Sequence, residues 1–461
     1  MMDSYQILMA ECGAALSVSA VFMAIFGIAE LLRGFDLAPQ EVTRKFVHLG
    51  AGLVSLSFAY VFKSPITLLV MLVGFVAAMT LGKRWHLMTA VHGVDRRSAG
   101  DLLHPLAIFI TYLFATRFDK PHFYAIAIAV LSVSDSLAAL IGKSYGFKLY
   151  EVEEDRKSVE GSIIFFLSTF LIVHLTLLLA TDIDRTGSVL AALLIAILAT
   201  AFEAVALDGA DNLVVPVGTL FVLMKITRQS IPEMAFQNCL MGIIYFTTYL
   251  IARPSEKLGS SGIIGIALAG YAAWSLVTWD WYIPILIATL LLSWVDVFLE
   301  RPGQQTELHR IRPVFYTFIT SFLWVLGANM EFGTGTDHFY VVPYLVSIAG
   351  NLSVRWSWYQ RTHPDGSGSR LPRRLVLAWP VGRAAILALV FLPVHLLGGF
   401  GLNVAFSTTT FIAGTWLTDR LYWAIGRSRL ETWDRKAFLR MGMAVVLVSS
   451  AAVYAANLWY Y

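Results

Sequence analysis

The stretch VLSVSDSLAALIGKSYG, Val130 to Gly146, carries an aspartate inside an apolar run and closes on Gly142-Lys143-Ser144. That ending imitates a phosphate-binding P-loop. The loop motif requires Gly-x-x-x-x-Gly-Lys-Ser/Thr between a strand and a helix, so that backbone N–H groups wrap the phosphates. Here the first glycine position is Leu137, and an apolar helical run precedes it. The nucleotide-loop reading fails on both counts. What remains is Asp135, an ionisable group at a depth where such groups are expensive and face a polar partner or cavity. Two readings stay open. Asp135 can be a helix-packing polar residue bonded through Ser132, Ser134 or Ser136, or a ligand for Mg²⁺, a hard cation satisfied by carboxylates and substrate phosphates. Gly142 and Gly146 then permit a tight exit and close backbone approach to a ligand.

Four further segments have residue types suited to the same chemistry. In EEDRKSVEGS, Glu153 to Ser162, Arg156 and Lys157 can hold phosphates. Ser158 is placed as a helix N-cap, and Glu160 lies in the first turn, where a carboxylate favours the dipole. Gly161 and Ser162 open that helix as an anion-compatible N-terminus, although a charged run of this kind can equally be a solvated loop. In TRKFVHLGAG, Thr43 to Gly52, Arg44 and Lys45 stand at the start of an apolar run with His48 a turn further in. Positive-inside anchoring explains the two cations but not the histidine. In FEAVALDGADN, Phe202 to Asn212, the oxygen donors Glu203, Asp208, Asp211 and Asn212 suit a metal or a general base. A polar Asp-Gly turn accounts for Asp208 and Gly209 and leaves Glu203 unexplained. HGVDRRSAGDLLHP, His92 to Pro105, can add Arg97, Ser98 and Asp101, but a basic membrane-proximal loop is the simpler reading.

The elements that must hold these residues are membrane helices. The chain has 461 residues, of which 57% are hydrophobic and 14% charged, and its mean hydropathy is +0.68. A soluble globular chain carries about 25% charged residues. Apolar runs of spanning length recur almost throughout, which predicts an all-α, polytopic transmembrane bundle of roughly 14–16 spans. The first ten residues lack Lys and Arg, so the first span reads as a retained helix rather than a cleaved signal. Cys12 and Cys239 give neither a disulfide framework nor a metal cluster. The net charge of +3 is small, and there is no motif for nucleic acid.

Loop charge predicts orientation. With the N-terminus outside, Arg33, Arg44, Lys45, Lys83, Arg84, Arg96, Arg97, Lys143, Lys148, Arg156 and Lys157 fall on the cytoplasmic side, as does the LDGADN turn. Only Lys63, Arg117, Lys120 and Arg185 oppose them. The chemistry-bearing segments therefore share a face with access to cytoplasmic nucleoside triphosphates.

Taken together, RKFVH (Arg44, Lys45, His48), DSLAALIGKSYG (Asp135, Ala138, Gly142, Gly146), KSVEGS (Lys157, Ser158, Glu160, Gly161, Ser162) and E…LDGADN (Glu203, Asp211, Asn212) resemble the phytol kinase and dolichol (polyprenol) kinase family. These are membrane enzymes that use CTP or a related nucleotide. The resemblance covers residues 40–230. It departs from the family where Ser134 replaces the glycine that often precedes the aspartate. HGVDR, His92 to Arg96, touches the signature of phosphatidate cytidylyltransferases but stands too early and lacks their Lys-Asp pair. The resemblance implies phosphoryl transfer from CTP to the hydroxyl of an isoprenoid alcohol. Asp135 would hold Mg²⁺ with Glu203, Asp211 or Asn212, and Lys157, Arg44 and Lys45 would clamp phosphates. Asp135, Glu160 and His48 all remain open as the general base.

The organisation expected is a prenol-kinase-like membrane domain over 1–230 and a second membrane domain over 231–461. SDSLAALIGKS, Ser134 to Ser144, is echoed by TDRLYWAIGRS, Thr418 to Ser428, as a decayed duplicate would be, or as chance in an apolar chain. Scaffolding, lipid access or homo-oligomer formation are the roles left for this half. A secondary transporter of an anionic or lipid-linked solute is the rival from another class, because intramembrane charges and repeats suit it. A cytidylyltransferase forming a CDP-lipid is the third.

Overall fold

The structure is a computed structural model. It describes residues 4–84, 100–153, 155–253, 258–295, 311–331, 337–362, 384–391, 404–426 and 435–460. The chain divides into two compact units, Met1–Asn238 and Cys239–Tyr461.

Eight of the described helices are long and apolar enough to cross a membrane, and three shorter apolar helices accompany them. The chain is a multi-pass membrane protein. Of the roughly 14–16 apolar runs, some are broken and others lie partly outside the described residues. The run near 46–63, for example, is α2 (Gln40–Ser55) followed by the single turn α3 (Phe58–Val61).

The first unit holds α1 (Ser4–Gly34), α2, α3, α4 (Pro65–Arg84) and α5 (Gly100–Arg117). Next comes one long helix, Pro121–Tyr145. It is built from α6 (Pro121–Ala129), a five-residue π turn (Val130–Ser134) and α7 (Asp135–Tyr145). A hairpin of β1 (Leu149–Val152) and β2 (Asp155–Ser158) follows, with Tyr150 opposite Lys157. Then come α8 (Val159–Ala180), α9 (Arg185–Val205) and α10 (Asp211–Ile226).

Helix α8 shows why these helices face lipid. Ile163, Leu167, Leu171, Leu175 and Leu179 form an exposed stripe at every fourth residue, while Phe165, Thr169, Val173 and Leu177 are buried on the opposite side. A helix face of exposed leucines is satisfied by hydrocarbon and costs free energy in water.

The π turn lies at the centre of this unit. Helices α2, α8 and α10 all pack against it. The Thr169 hydroxyl donates to Ser134 Oγ across 3.0 Å. Gly52 of α2 is so close that a Cβ there would stand 1.7 Å from Ser132 Oγ.

The second unit contains the C-terminal part of α11 (Ile231–Ala252), then α12 (Ser260–Leu276), α13 (Tyr282–Leu290), α14 (Ile311–Met330), α15 (Val341–Thr362), α16 (Val404–Gly426) and α17 (Arg435–Tyr460). Helix α15 packs against α14, α16 and α17. Its Tyr344 hydroxyl donates to the Trp281 carbonyl, and Asn351 Nδ2 donates to the Thr317 carbonyl across 3.0 Å. Helix α13 runs directly into a second five-residue π turn, Leu291–Val295. It repeats the nine-residue helix and five-residue π turn of α6 at constant sequence separation, matching Ile126, Ala127, Leu131 and Ser132 with Ile287, Ala288, Leu292 and Ser293. Of the echo read in the sequence, residues 427 and 428 lie outside the described residues.

Candidate active site

The site is built where six elements of the first unit meet. Lys45 and His48 lie one turn apart on α2, and their common face meets the π turn. Lys45 Nζ donates to Asp135 Oδ2 at 2.6 Å. His48 Nε2–H donates to the Leu131 carbonyl at 3.2 Å and lies 3.4 Å from Asp135 Oδ2. Lys45 is buried. A π turn widens the helix by one residue and is found disproportionately at functional sites. Here it ends at the residue before Asp135, at the level of Lys45.

A second pair lies beside the first. Lys157 Nζ, on β2, donates to Glu203 Oε1 at 2.7 Å and also to the Glu203 carbonyl. Burial pulls the Lys157 ammonium down, but the charges of Glu203 and then Asp211 outweigh it, so Lys157 is held above the ordinary lysine value. Burial, and then the Glu203 charge, push the Tyr150 phenol up on the opposite strand. The two pairs form one electrostatic cluster: Lys157 acts on Asp135, and both Asp135 and Asp211 act on Glu203.

Local sequence explains the rest of the frame. Ser158 caps α8 by accepting from Gly161 N–H at 3.1 Å, the role its position predicts. Gly142, Gly146 and Gly161 make a close crossing of α7 over this cap. A Cβ at Gly142 would meet Ser158 Oγ at 2.8 Å, one at Gly146 would meet Ser158 Cβ at 2.7 Å, and one at Gly161 would meet the Ala138 carbonyl at 3.0 Å. Gly142 and Gly146 thus approach the protein's own capping serine, where the sequence reading has a ligand. Ser162 Oγ bonds the Tyr150 hydroxyl at 2.8 Å. Glu160 accepts from the Lys148 N–H at 3.2 Å and so ties the hairpin to α8. Lys143 is exposed at the end of α7, and Arg44 is exposed on α2 but acts electrostatically on His48. Asp208 and Gly209 both take positive φ, at 53° and 87°, on the left-handed side of backbone space. They make the tight turn the Asp-Gly pair predicts and start α10 at Asp211. Arg97 and Ser98 lie outside the described residues, as does the side chain of Asp101.

Two things were not read from the sequence. DRKS, Asp155–Ser158, is one strand of a hairpin rather than part of a loop, which is how Lys157 reaches Glu203. The other is His104, on α5, whose ring centroid stands 4.6 Å from that of His48. His104 also lies within electrostatic reach of Asp135 and Lys45. Both of its ring nitrogens are buried without a hydrogen-bond partner among the described residues; Asn212 is near but not in good bonding geometry. Its sequence signal was a histidine beside Pro105 at the head of an apolar helix.

The Synechocystis sp. phytol kinase is 34% identical to this chain over 210 residues, which are 45% of this chain and 89% of that relative. The chain belongs to the phytol kinase family. No family model matches it, and neither does any solved structure. The paired cations and carboxylates described above are thus the charged core of a phytol kinase family member. Among the described residues, no group of three or more His, Cys, Asp and Glu side chains is arranged to enclose a metal ion.

Proposed function

We propose that the protein transfers the γ-phosphoryl group of CTP, or another nucleoside triphosphate, to the hydroxyl of an isoprenoid alcohol such as phytol, geranylgeraniol or dolichol. The observation that carries this reading is the joining of Lys45–Asp135 and Lys157–Glu203 into one cluster at the end of the first helical unit. Transfer from a polyanionic donor to a lipid hydroxyl calls for positioning and charge stabilisation more than for covalent chemistry. Lys45, Lys157 and Arg44 supply cations for the phosphates. Asp135 accepts from Lys45 and stands beside His48, which supports reading either group as the base for the hydroxyl proton, whereas Glu160 is engaged with the Lys148 N–H.

Mg²⁺ is usually held by one or two carboxylates and completes its shell with substrate phosphates and water. The donors Asp135, Glu203, Asp211 and Asn212 fit that pattern, with the ion arriving on the nucleotide. When bound, it would neutralise charge developing on the transferred group.

The test uses membranes containing the protein, γ-labelled CTP or ATP, and a panel of phytol, farnesol, geranylgeraniol and dolichol. Label enters the lipid phase with CDP or ADP as coproduct. Asp135→Asn and Lys157→Ala each lower the rate by about a hundredfold or more, the scale for losing a group that acts on the transferring charge. No labelled lipid with any alcohol and nucleotide ends the proposal, and pyrophosphate as coproduct turns it towards a cytidylyltransferase.

A further inference from the structure

We propose that His104 is the docking residue for the acceptor hydroxyl, a specificity that deepens the kinase reading and rests on it. A buried polar group without a partner is costly, so its persistence calls for an occupant that supplies the missing bond. His104 leaves two such atoms, Nδ1 and Nε2, in one ring. The hydroxyls of Ser132 and Ser136, on the helix that carries Asp135, are also buried without partners among the described residues. Three charged or titratable neighbours in the cluster are engaged: Lys45 with Asp135, His48 with the Leu131 carbonyl and Lys157 with Glu203.

The chemistry of the occupant follows from this. Phosphate oxygens seek the cations, which are Lys45, Lys157 and Arg44. A neutral imidazole offers one donor and one acceptor, and an alcohol offers one donor and two lone pairs, so they match in either tautomer. His104 also lies against His48, one turn beyond Lys45 on α2 towards the apolar interior. Its neighbours along α5, Ala107 and Ile108, are buried apolar residues. A lipid alcohol entering from the bilayer would bring its hydroxyl to this imidazole and the adjacent Asp135.

The test uses the full chain in detergent with tritiated geranylgeraniol and no nucleotide. The wild type binds saturably, and the alcohol protects His104 from acylation by diethyl pyrocarbonate, read by mass spectrometry. His104→Leu weakens alcohol binding by about tenfold or more, the cost of stranding the hydroxyl, while His104→Gln retains most of it. Binding of a fluorescent CTP analogue is unchanged in both. Undiminished alcohol binding by His104→Leu overturns the proposal. So does a wild-type His104 whose acylation the alcohol fails to slow, a result that needs no folded variant. Binding that depends on His104, in a protein that transfers no phosphoryl group, upholds the docking role and removes the kinase reading instead.

Discussion

Asp135 and Lys45 are each other's counterion in a place where neither is stable alone. Removing one partner of such a pair leaves an uncompensated buried charge, at a cost of about 3–5 kcal/mol. The pairing is therefore evidence for a required charge at this point, not for added stability. Lys157 and Glu203 repeat the arrangement with a measurable consequence. Burial pulls the Lys157 ammonium down, and Glu203 and Asp211 hold it above the usual lysine range. In Glu203→Gln the largest opposing charge is gone and burial dominates, so Lys157 releases its proton at lower pH. Acylation of Lys157, followed by mass spectrometry between pH 7 and about 10 with chelator present, should begin at lower pH in the variant than in the wild type. An unchanged onset would mean that Glu203 does not control this cation. Asp135 and Glu203 stood out in the sequence because a charge in or beside an apolar run demands an explanation, whereas Lys45 and Lys157 drew attention only through the motifs that hold them. His104 did not stand out, because a single histidine has many uses and only the tertiary structure sets its ring against His48 with both nitrogens buried.

At the scale of elements, the π turn decides the geometry. It places Asp135 opposite Lys45 only if α2 can approach it, and α2 approaches through Gly52. A Cβ on Gly52 would lie 1.7 Å from Ser132 Oγ and 2.3 Å from Ser132 Cβ. Gly52→Ala must therefore push α2 away, carrying Lys45 and His48 from Asp135, with an overpacking cost of about 1–3 kcal/mol. Ser132→Ala does not relieve this, because the Cβ contact remains. Gly52→Ala combined with Ser132→Gly does, since Ser132 Cα is 3.6 Å away. Phosphoryl transfer and thermal stability should fall in the single variant and recover substantially in the double; failure of the rescue would place the importance of Gly52 elsewhere. Helices were readable here from length and hydropathy, and the Ser158 cap from its spacing to Glu160. A π turn has no signature of its own in one sequence. The hairpin is only four residues per strand, and its strands alternate too briefly to stand out from a charged loop.

For the first unit as a whole, hydrogen bonds sort the helix ends into two groups. Glu11 near the start of α1 accepts from the Ser64 N–H at 3.0 Å and from the Thr67 hydroxyl, at the start of α4. Tyr112, late in α5, donates to the Phe62 carbonyl, and Tyr60 bonds His122 at the start of α6. The opposite ends of α2, α5, α7, α9 and α10 carry Lys45, His104, Asp135, Glu203 and Asp211. The charge bias read from the loops thus follows a physical division of the unit, with Lys148, Arg156 and Lys157 at the site end and Lys63, Arg117, Lys120 and Arg185 at the other. If the positive end faces the cytoplasm, a cytoplasmic nucleoside triphosphate, the donor proposed above, reaches the cluster directly. Single cysteines test this after Cys12 and Cys239, both exposed, are changed to serine. With a membrane-impermeant maleimide, Lys148→Cys should react in inverted vesicles and stay silent in right-side-out ones, and Arg185→Cys should do the reverse. Labelling of both from one side would break the two-ended arrangement. Reversed sidedness would keep the arrangement but turn Lys45, Lys157 and Arg44 away from the cytoplasmic nucleotide pool, and the donor would then have to be sought outside.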